Sequence, residues 1–370
     1  MKRLVTLLCT LFIFLSLSYD SLAFAQNWPT FRGNNMRTGQ SANVTGSKRL
    51  FAGNIAWQMR LPEDLRSSPA ISNGIIYIGC NDGNLYAIRE SDGHVLWSYP
   101  TGNWVASSPA VANGLVIFGS YDGKVYALDA STGALKWQFT THNMVASSPA
   151  AVNGRAYFGG VDGNVYCVDI STGMQKWSYK AGREVYGSPS VADGVVYIGN
   201  HDGKMMAIDA LTGKLKWRAI VGGPVVASPA VTNGMLYFGS WDGILYCADI
   251  KNQAVIWRYD SGGSIESSPL VENGRVYFGN IKGMMTALDA KRGTPIWTTN
   301  TEAAIASSPS ISGNRIFFGN SGGDIYSLDA NTGEIAWKIQ TGGEAIMTAP
   351  AIGWNGIYVA GMDNMLRSIR

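Results

Sequence analysis

The 370-residue chain is poor in the side chains that catalysis and metal binding use most, with three His, four Cys and only 15% charged residues. So few His and Cys exclude a metal-rich protein and a disulfide scaffold. The 29 basic and 26 acidic side chains nearly cancel, leaving a formal charge of +3. That balance supplies no basic field for nucleic acid and no polyanionic tail. No C-x-x-C-H is present, so no c-type haem is attached. After the N-terminus no apolar run reaches the roughly 20 residues of a spanning helix. What the chain has instead is 46% hydrophobic residues, 45 Gly and 12 Trp. That composition can bury a large core, and disorder is excluded.

Lys2 and Arg3 precede an apolar run over residues 4–17 and the small-x-small ending Ala23-Phe24-Ala25. These are the parts of a secretory signal peptide, cleaved after Ala25. The expected location is the periplasm or the cell exterior. Cys9 lies inside the apolar run, away from the cleavage point, so no lipid anchor is expected. Residues 26–50 form an aromatic-rich lead expected to pack on the remainder of the mature chain. Asn43-Val44-Thr45 is a glycosylation sequon, which has meaning only in a eukaryotic secretory route.

Internal repetition decides the fold. Trp57, Trp97, Trp137, Trp177, Trp217, Trp257, Trp297 and Trp337 recur every 40 residues. A proline keeps step from Pro69 to Pro309, and its last copy, Pro350, comes one residue late. Asn-Gly, Asp-Gly and Thr-Gly pairs punctuate each copy and are hairpin chemistry, because tight turns need positive φ. The runs between them are short, β-branched and aromatic. Each copy therefore holds four antiparallel strands, A to D, and such units at this period are propeller blades. The expected fold is all-β, an eight-bladed β-propeller over residues 51–370. The chain ends on a C strand, while the first Trp lies on a D strand with nothing before it. Pairing this N-terminal D strand with the C-terminal blade closes the ring and removes two edges.

Residues 207–217 read A-I-D-A-L-T-G-K-L-K-W. The segment resembles the tryptophan-docking motif of the pyrroloquinoline quinone (PQQ) repeat family. Close copies end at Trp137, Trp177, Trp297 and Trp337. Weaker ones carry Arg89 for the Asp, or Asn252-Gln253 for Thr-Gly. The resemblance implies that the Trp of one blade packs on its neighbour. It also implies one of two functions: a quinoprotein dehydrogenase holding PQQ and calcium, or a non-enzymatic, protein-binding propeller similar to the assembly factor BamB. A fold does not choose between them.

The dehydrogenases that the resemblance brings in carry long insertions and an adjacent Cys pair. Here no Cys pair is adjacent, and the repeats leave no room for a lid. Calcium needs six to eight converging oxygens, whereas Asp82, Asp122, Asp162, Asp202 and Asp242 fall in five different turns. No catalytic cluster is expected, no cofactor is expected, and PQQ and calcium are disfavoured. Cys167 and Cys247 read as small buried thiols at positions where other copies have Ala, and Cys80 has no such counterpart.

In a propeller the D–A and B–C loops open on one face. The A–B turns, on the other face, are near-identical, while the D–A and B–C loops differ from blade to blade. Divergence confined to one face is where function is carried. On that face Arg66, Trp104, Tyr121, Arg183, Tyr186, His201, Trp241 and Glu266 are the candidate binding residues. Exposed Trp, Tyr and Arg dominate interface energetics. His201 and His142 are expected to be solvated, not a metal pair. The expectation is a monomeric protein-binding or scaffold module of the cell envelope.

Overall fold

The computed structural model describes residues 27–39 and 51–370. The signal peptide with its cleavage site and the sequon at Asn43 lie outside the described residues. Every regular element described is a strand, and the strands form eight four-stranded antiparallel sheets. Blade 1 consists of Ala70–Ser72, Ile75–Gly79, Asn84–Arg89 and Val95–Pro100, strands A to D. Blades 2 to 7 repeat this plan, their A strands starting at Ala110, Ala150, Ser190, Ala230, Leu270 and Ser310. Blade 8 takes strands A to C from Ala351–Ile352, Ile357–Ala360 and Met365–Ile369. Its D strand is Ile55–Arg60, with Met59 opposite Leu366. Asn54 and Arg370 exchange backbone hydrogen bonds of 2.9 and 2.8 Å, so this blade's C–D turn is made from the two chain segments.

Turn chemistry behaves as the dipeptides require. Asn113 and Gly114 both have positive φ, 52° and 73°, which is the twist that a two-residue hairpin needs. Strands B and C are buried on both faces because each sheet is sandwiched between two others. One apolar layer joins Tyr77 and Leu85 of blade 1 to Val116, Phe118 and Tyr126 of blade 2. The core is thus a ring of layers between blades.

The Trp repeat holds those layers together. The indole of Trp137 lies on the C–D turn of blade 3, where its N–H donates to the Ile170 carbonyl at 2.8 Å. A Cβ on Gly173, at φ +72°, would stand 2.7 Å from the ring. Glycine is required there for both the turn and the close approach. The same contact pairs Trp57 with Gly93, Trp97 with Gly133 and Trp177 with Gly213, and Trp337 with Gly53 across the closure. The next blade after Trp217 departs from the pattern, with Gln253 at φ 56° in place of the glycine.

A bulge accompanies each docked Trp. Trp137 faces Ala127, but the next pair is Leu128 with Leu135, so one residue of strand D is left over and the strand twists. The residue facing the indole must be small. Cys167 faces Trp177 and Cys247 faces Trp257 at this site, and both thiols are fully buried. Cys80 is different. It stands where blades 2 and 5 have Ser120 and Ser240, and its thiol donates to the Glu63 carbonyl as Ser240 does to Gly223.

Both the indole contact and the thiol burial can be measured. Trp137→Phe keeps an aromatic ring but strands the Ile170 carbonyl, and should lower the unfolding free energy by about 1–3 kcal/mol. An unchanged denaturation midpoint would show that the indole N–H contributes nothing. Burial pushes the thiols of Cys80, Cys167 and Cys247 up to about 12, 11 and 12. Since the thiolate is the nucleophile, none should alkylate at mildly alkaline pH in the folded protein. All three should react in denaturant, as read by peptide mapping, and rapid native labelling of any one would contradict the burial.

Candidate functional site

The channel wall begins with the Ser-Pro pairs that precede each A strand. Ser68 N–H donates to Ser108 Oγ at 2.9 Å and Ser108 N–H to Ser148 Oγ at 3.0 Å. The relay continues through Ser188, Ser228 and Ser268 to Ser308. Ala349 N–H donates to Ser68 Oγ at 2.9 Å, joining the last blade to the first. Proline follows each serine and has no N–H to give.

The described lead is wound inside this wall. Trp28 exchanges two backbone hydrogen bonds of 2.8 Å with Ile71 in strand A of blade 1. The carbonyls of Pro29, Asn35, Met36, Thr38 and Gly39 accept from Val111, Val191, Val231, Val271 and Ile311. The Asn35 amide donates to Ala151 at 2.9 Å. Thirteen residues, 27–39, therefore touch the inner strand of blades 1 to 7. At the centre, Arg32 and Arg37 are completely buried. Arg32 donates to the carbonyls of Pro269, at 2.8 Å, and Pro309. Arg37 donates to Pro189 at 3.0 Å, Ser148 at 3.0 Å and Pro149 at 2.9 Å. Burial pushes both guanidiniums down to about 9, and for Arg32 the charge of Arg37 adds to this. Guanidinium remains charged in proteins, so the carbonyl dipoles offset its desolvation. The sequence carries a signal for this: Arg32 and Arg37 are the sole charged residues of the stretch 27–39.

With the channel filled, the D–A and B–C loops form the open face. The two loop types are tied together, because Tyr121 N–H donates to Trp104, His201 to Glu184 and Trp241 to Pro224, each at 2.9 Å. A side chain before a B–C turn thus lies beside the D–A loop. Arg66 pairs with Asp64 at 3.1 Å and lies over the Trp104 ring, 5.9 Å from its centroid. Trp104 and Tyr121 are 5.8 Å apart, Tyr186 and His201 5.7 Å, and His201 and Trp241 5.2 Å. Tyr121 is within electrostatic reach of both groups: burial pushes its phenol up, while the Arg66 charge lowers it and Tyr186 raises it. Arg66, Trp104, Tyr121, Tyr186, His201 and Trp241 form one arc around the mouth.

His201 corrects an expectation. It is half-buried between Tyr186 and Trp241, not solvated, because the D–A loop of its own blade and the B–C turn of the next bring aromatics against it. Arg183 stands apart on an exposed loop tip, paired with Glu184 at 3.1 Å. Glu266 is half-buried beside its A strand, and burial raises its carboxyl. Trp104 and Trp241 remain 43% and 39% exposed, which leaves ring surface open for contact. Exposed Ile281 and Met347 lie in the same set of loops, apolar positions outside the candidate set of aromatics and charges.

The Asp-Gly carboxylates serve their own turns. Asp122 accepts from Lys124 N–H at 3.0 Å, Tyr126 hydroxyl at 2.6 Å and Gly102 N–H at 2.9 Å. In blade 4, Met206 replaces the tyrosine and Asp202 pairs with Lys204 at 2.8 Å instead. Among the described residues no group of three or more His, Cys, Asp or Glu could hold a metal ion.

Comparison with known proteins accords with this geometry. The sequence profile of the family described as outer membrane protein assembly factor BamB matches residues 48–259 and 254–364. The chain belongs to this PQQ-repeat propeller family. No curated protein sequence matches it significantly. Among solved structures, BamB from Moraxella catarrhalis is similar over 86% of this chain and 99% of its own, at 20% identity and a TM-score of 0.77. The quinohemoprotein alcohol dehydrogenase from Comamonas testosteroni is similar over 93% and 80%, at 15% identity and a TM-score of 0.80. A computationally designed protein, Ika8, covers 87% of this chain with 99% of its own, at 18% identity and a TM-score of 0.76. At such identities the likeness is one of fold. BamB-like chains and quinoprotein enzymes share the ring, so the role of this member rests on its own side chains.

The filled channel yields a stability prediction. Arg37→Met keeps much of the side-chain volume and removes every donor, leaving the carbonyls of Ser148, Pro149 and Pro189 short of a partner. The expected cost is about 3 kcal/mol, seen as a lower thermal midpoint. No change would mean that the lead is dispensable to the ring.

Proposed function

We propose that this chain is an exported, non-enzymatic binding module, a monomeric scaffold that engages a protein partner in cell-envelope or outer-membrane protein assembly. The observation that carries the reading is the aromatic arc of Trp104, Tyr121, Tyr186, His201 and Trp241 on the face where the repeats diverge. Large rings held rigidly by neighbouring blades lose little entropy on binding, and Trp, Tyr and Arg are the residues on which interfaces depend. Membership of a family described by a membrane assembly factor supports the same reading. Among the described residues no helix is long and apolar enough to cross a membrane.

The second reading is a PQQ-dependent dehydrogenase or a PQQ carrier, which the structural similarity to a quinohemoprotein alcohol dehydrogenase keeps in view. The residues present do not fit a calcium-held quinone in the channel. The carbonyls there are engaged by two guanidiniums, whose charge repels a further cation. The Asp-Gly carboxylates at the mouth lie one to a turn in different blades, and among the described residues no three acidic, His or Cys side chains converge to hold an ion. The interaction test is site-specific photo-crosslinking from positions 104 and 241 in the producing cell. Discrete adducts are expected at both. They should vanish on Arg66→Ala with Tyr186→Ala while the thermal midpoint holds. Retained adducts would place the interface elsewhere. Micromolar PQQ binding with dye-linked alcohol turnover would overturn the scaffold reading altogether.

A further inference from the structure

The charge of the open face differs from that of the chain. The whole sequence has a formal charge of +3, yet its D–A loops carry Glu63, Asp64, Glu184, Glu266, Glu302 and Glu344. The B–C turns add Asp82, Asp122, Asp162, Asp202 and Asp242, one in each of five consecutive blades. The cations in the same loops are Arg66, Arg183 and Lys282, and the first two are held by Asp64 and Glu184 beside them. Asp202 has Lys204. The other B–C carboxylates accept hydrogen bonds from tyrosine hydroxyls and backbone N–H groups, which do not cancel their charge. The open face is therefore an aromatic arc within an acidic rim.

The face also contains an example of what such a surface recognises. Arg66 lies between the Asp64 carboxylate, at 3.1 Å, and the Trp104 indole, at 5.9 Å. A cation over an indole and against a carboxylate gains from both the ring quadrupole and the ion pair. Trp241 has His201 against one part of its ring at 5.2 Å but is still 39% exposed, and no cation is stacked on it among the described residues; Asp242 follows it in the same turn.

We propose that the face docks an extended, cationic segment of the partner, with Arg or Lys alternating with apolar side chains. The apolar groups would pack on the arc and the cations would meet the indole of Trp241 and the carboxylates of the rim. The proposal rests on the binding reading above and adds the chemistry of what binds. Complementary charge acts mainly on encounter rate and selectivity, so its mark is salt dependence.

The test uses dye-labelled synthetic peptides with the purified full-length protein, read by fluorescence anisotropy. One peptide repeats Arg-Leu-Ser and its counterpart has Glu at every Arg. The Arg peptide should bind and weaken steadily as salt rises, and the Glu peptide should bind at least about tenfold more weakly. Glu266→Gln with Glu302→Gln should weaken the Arg peptide up to about fivefold for each charge removed. Trp241→Ala should weaken it further with the thermal midpoint unchanged. Equal or stronger binding of the Glu peptide, indifference to salt, or displacement by a neutral oligosaccharide would overturn the proposal. So would Arg-peptide binding that survives Trp241→Ala. If neither peptide binds while crosslinks at positions 104 and 241 persist in cells, the charge inference is wrong and the binding reading stands. If the crosslinks are also absent, both fail.

Discussion

The docking of one indole onto a glycine turn of the next blade is the contact on which the ring depends. No blade can bury its own B and C strands, because both of their faces are apolar. Burial comes from the neighbouring blades, and the Trp at the edge of each D strand fixes how far apart those blades stand. The indole is wide, its N–H donates to a turn carbonyl at Trp57, Trp137, Trp177, Trp257, Trp297 and Trp337, and its approach to the turn glycines leaves no room for a Cβ. Those demands account for the turn glycine, the bulge in strand D and the small residue facing the ring. They also explain why Cys167 and Cys247 can replace alanine there: a thiol is small enough, and burial keeps it protonated and unreactive.

A second constraint comes from the centre of the ring. Eight short A strands converge on an axis lined by prolyl carbonyls, of which Pro229 and Pro350 accept from the hydroxyls of Ser190 and Ser310. An empty channel would leave the rest to water. Here residues 27–39 satisfy part of the inner wall with their own backbone, and two buried guanidiniums satisfy the carbonyls that proline leaves behind. With the inner wall already partnered by the chain's own residues 27–39, the binding proposed above is assigned to the loops of one face.

On the open face the same blade-to-blade arrangement gathers residues that lie far apart in the chain. Trp104 and Tyr121 come from one D–A loop and the B–C turn beside it, Tyr186 and His201 from another such pair at blade 4, and Trp241 from the B–C turn of blade 5. Each loop can vary without disturbing the Trp ladder, because the ladder is anchored near the opposite face. This separation lets one architecture carry both quinoprotein enzymes and assembly factors. It also makes the loops, and not the repeat, the place to look for the work of a particular member.

How much could be read without coordinates depends on the range of each interaction. The Trp period, the turn dipeptides and the mismatch between the two chain ends determined the blade number, the strand count and the closure, because these depend on local pattern repeated at a fixed interval. The variable face was legible for the same reason, as a comparison of copies within one chain. The lead was not, since nothing local says that Arg32 and Arg37 meet carbonyls from blades hundreds of residues away. The serine relay was visible as a repeated Ser-Pro but not as a hydrogen-bonded belt, and His201 read as solvated because its aromatic neighbours belong to other loops. Sequence alone settled which elements form. The tertiary structure decided what fills the channel and which side chains share the open face, because both depend on bringing distant segments around a closed ring.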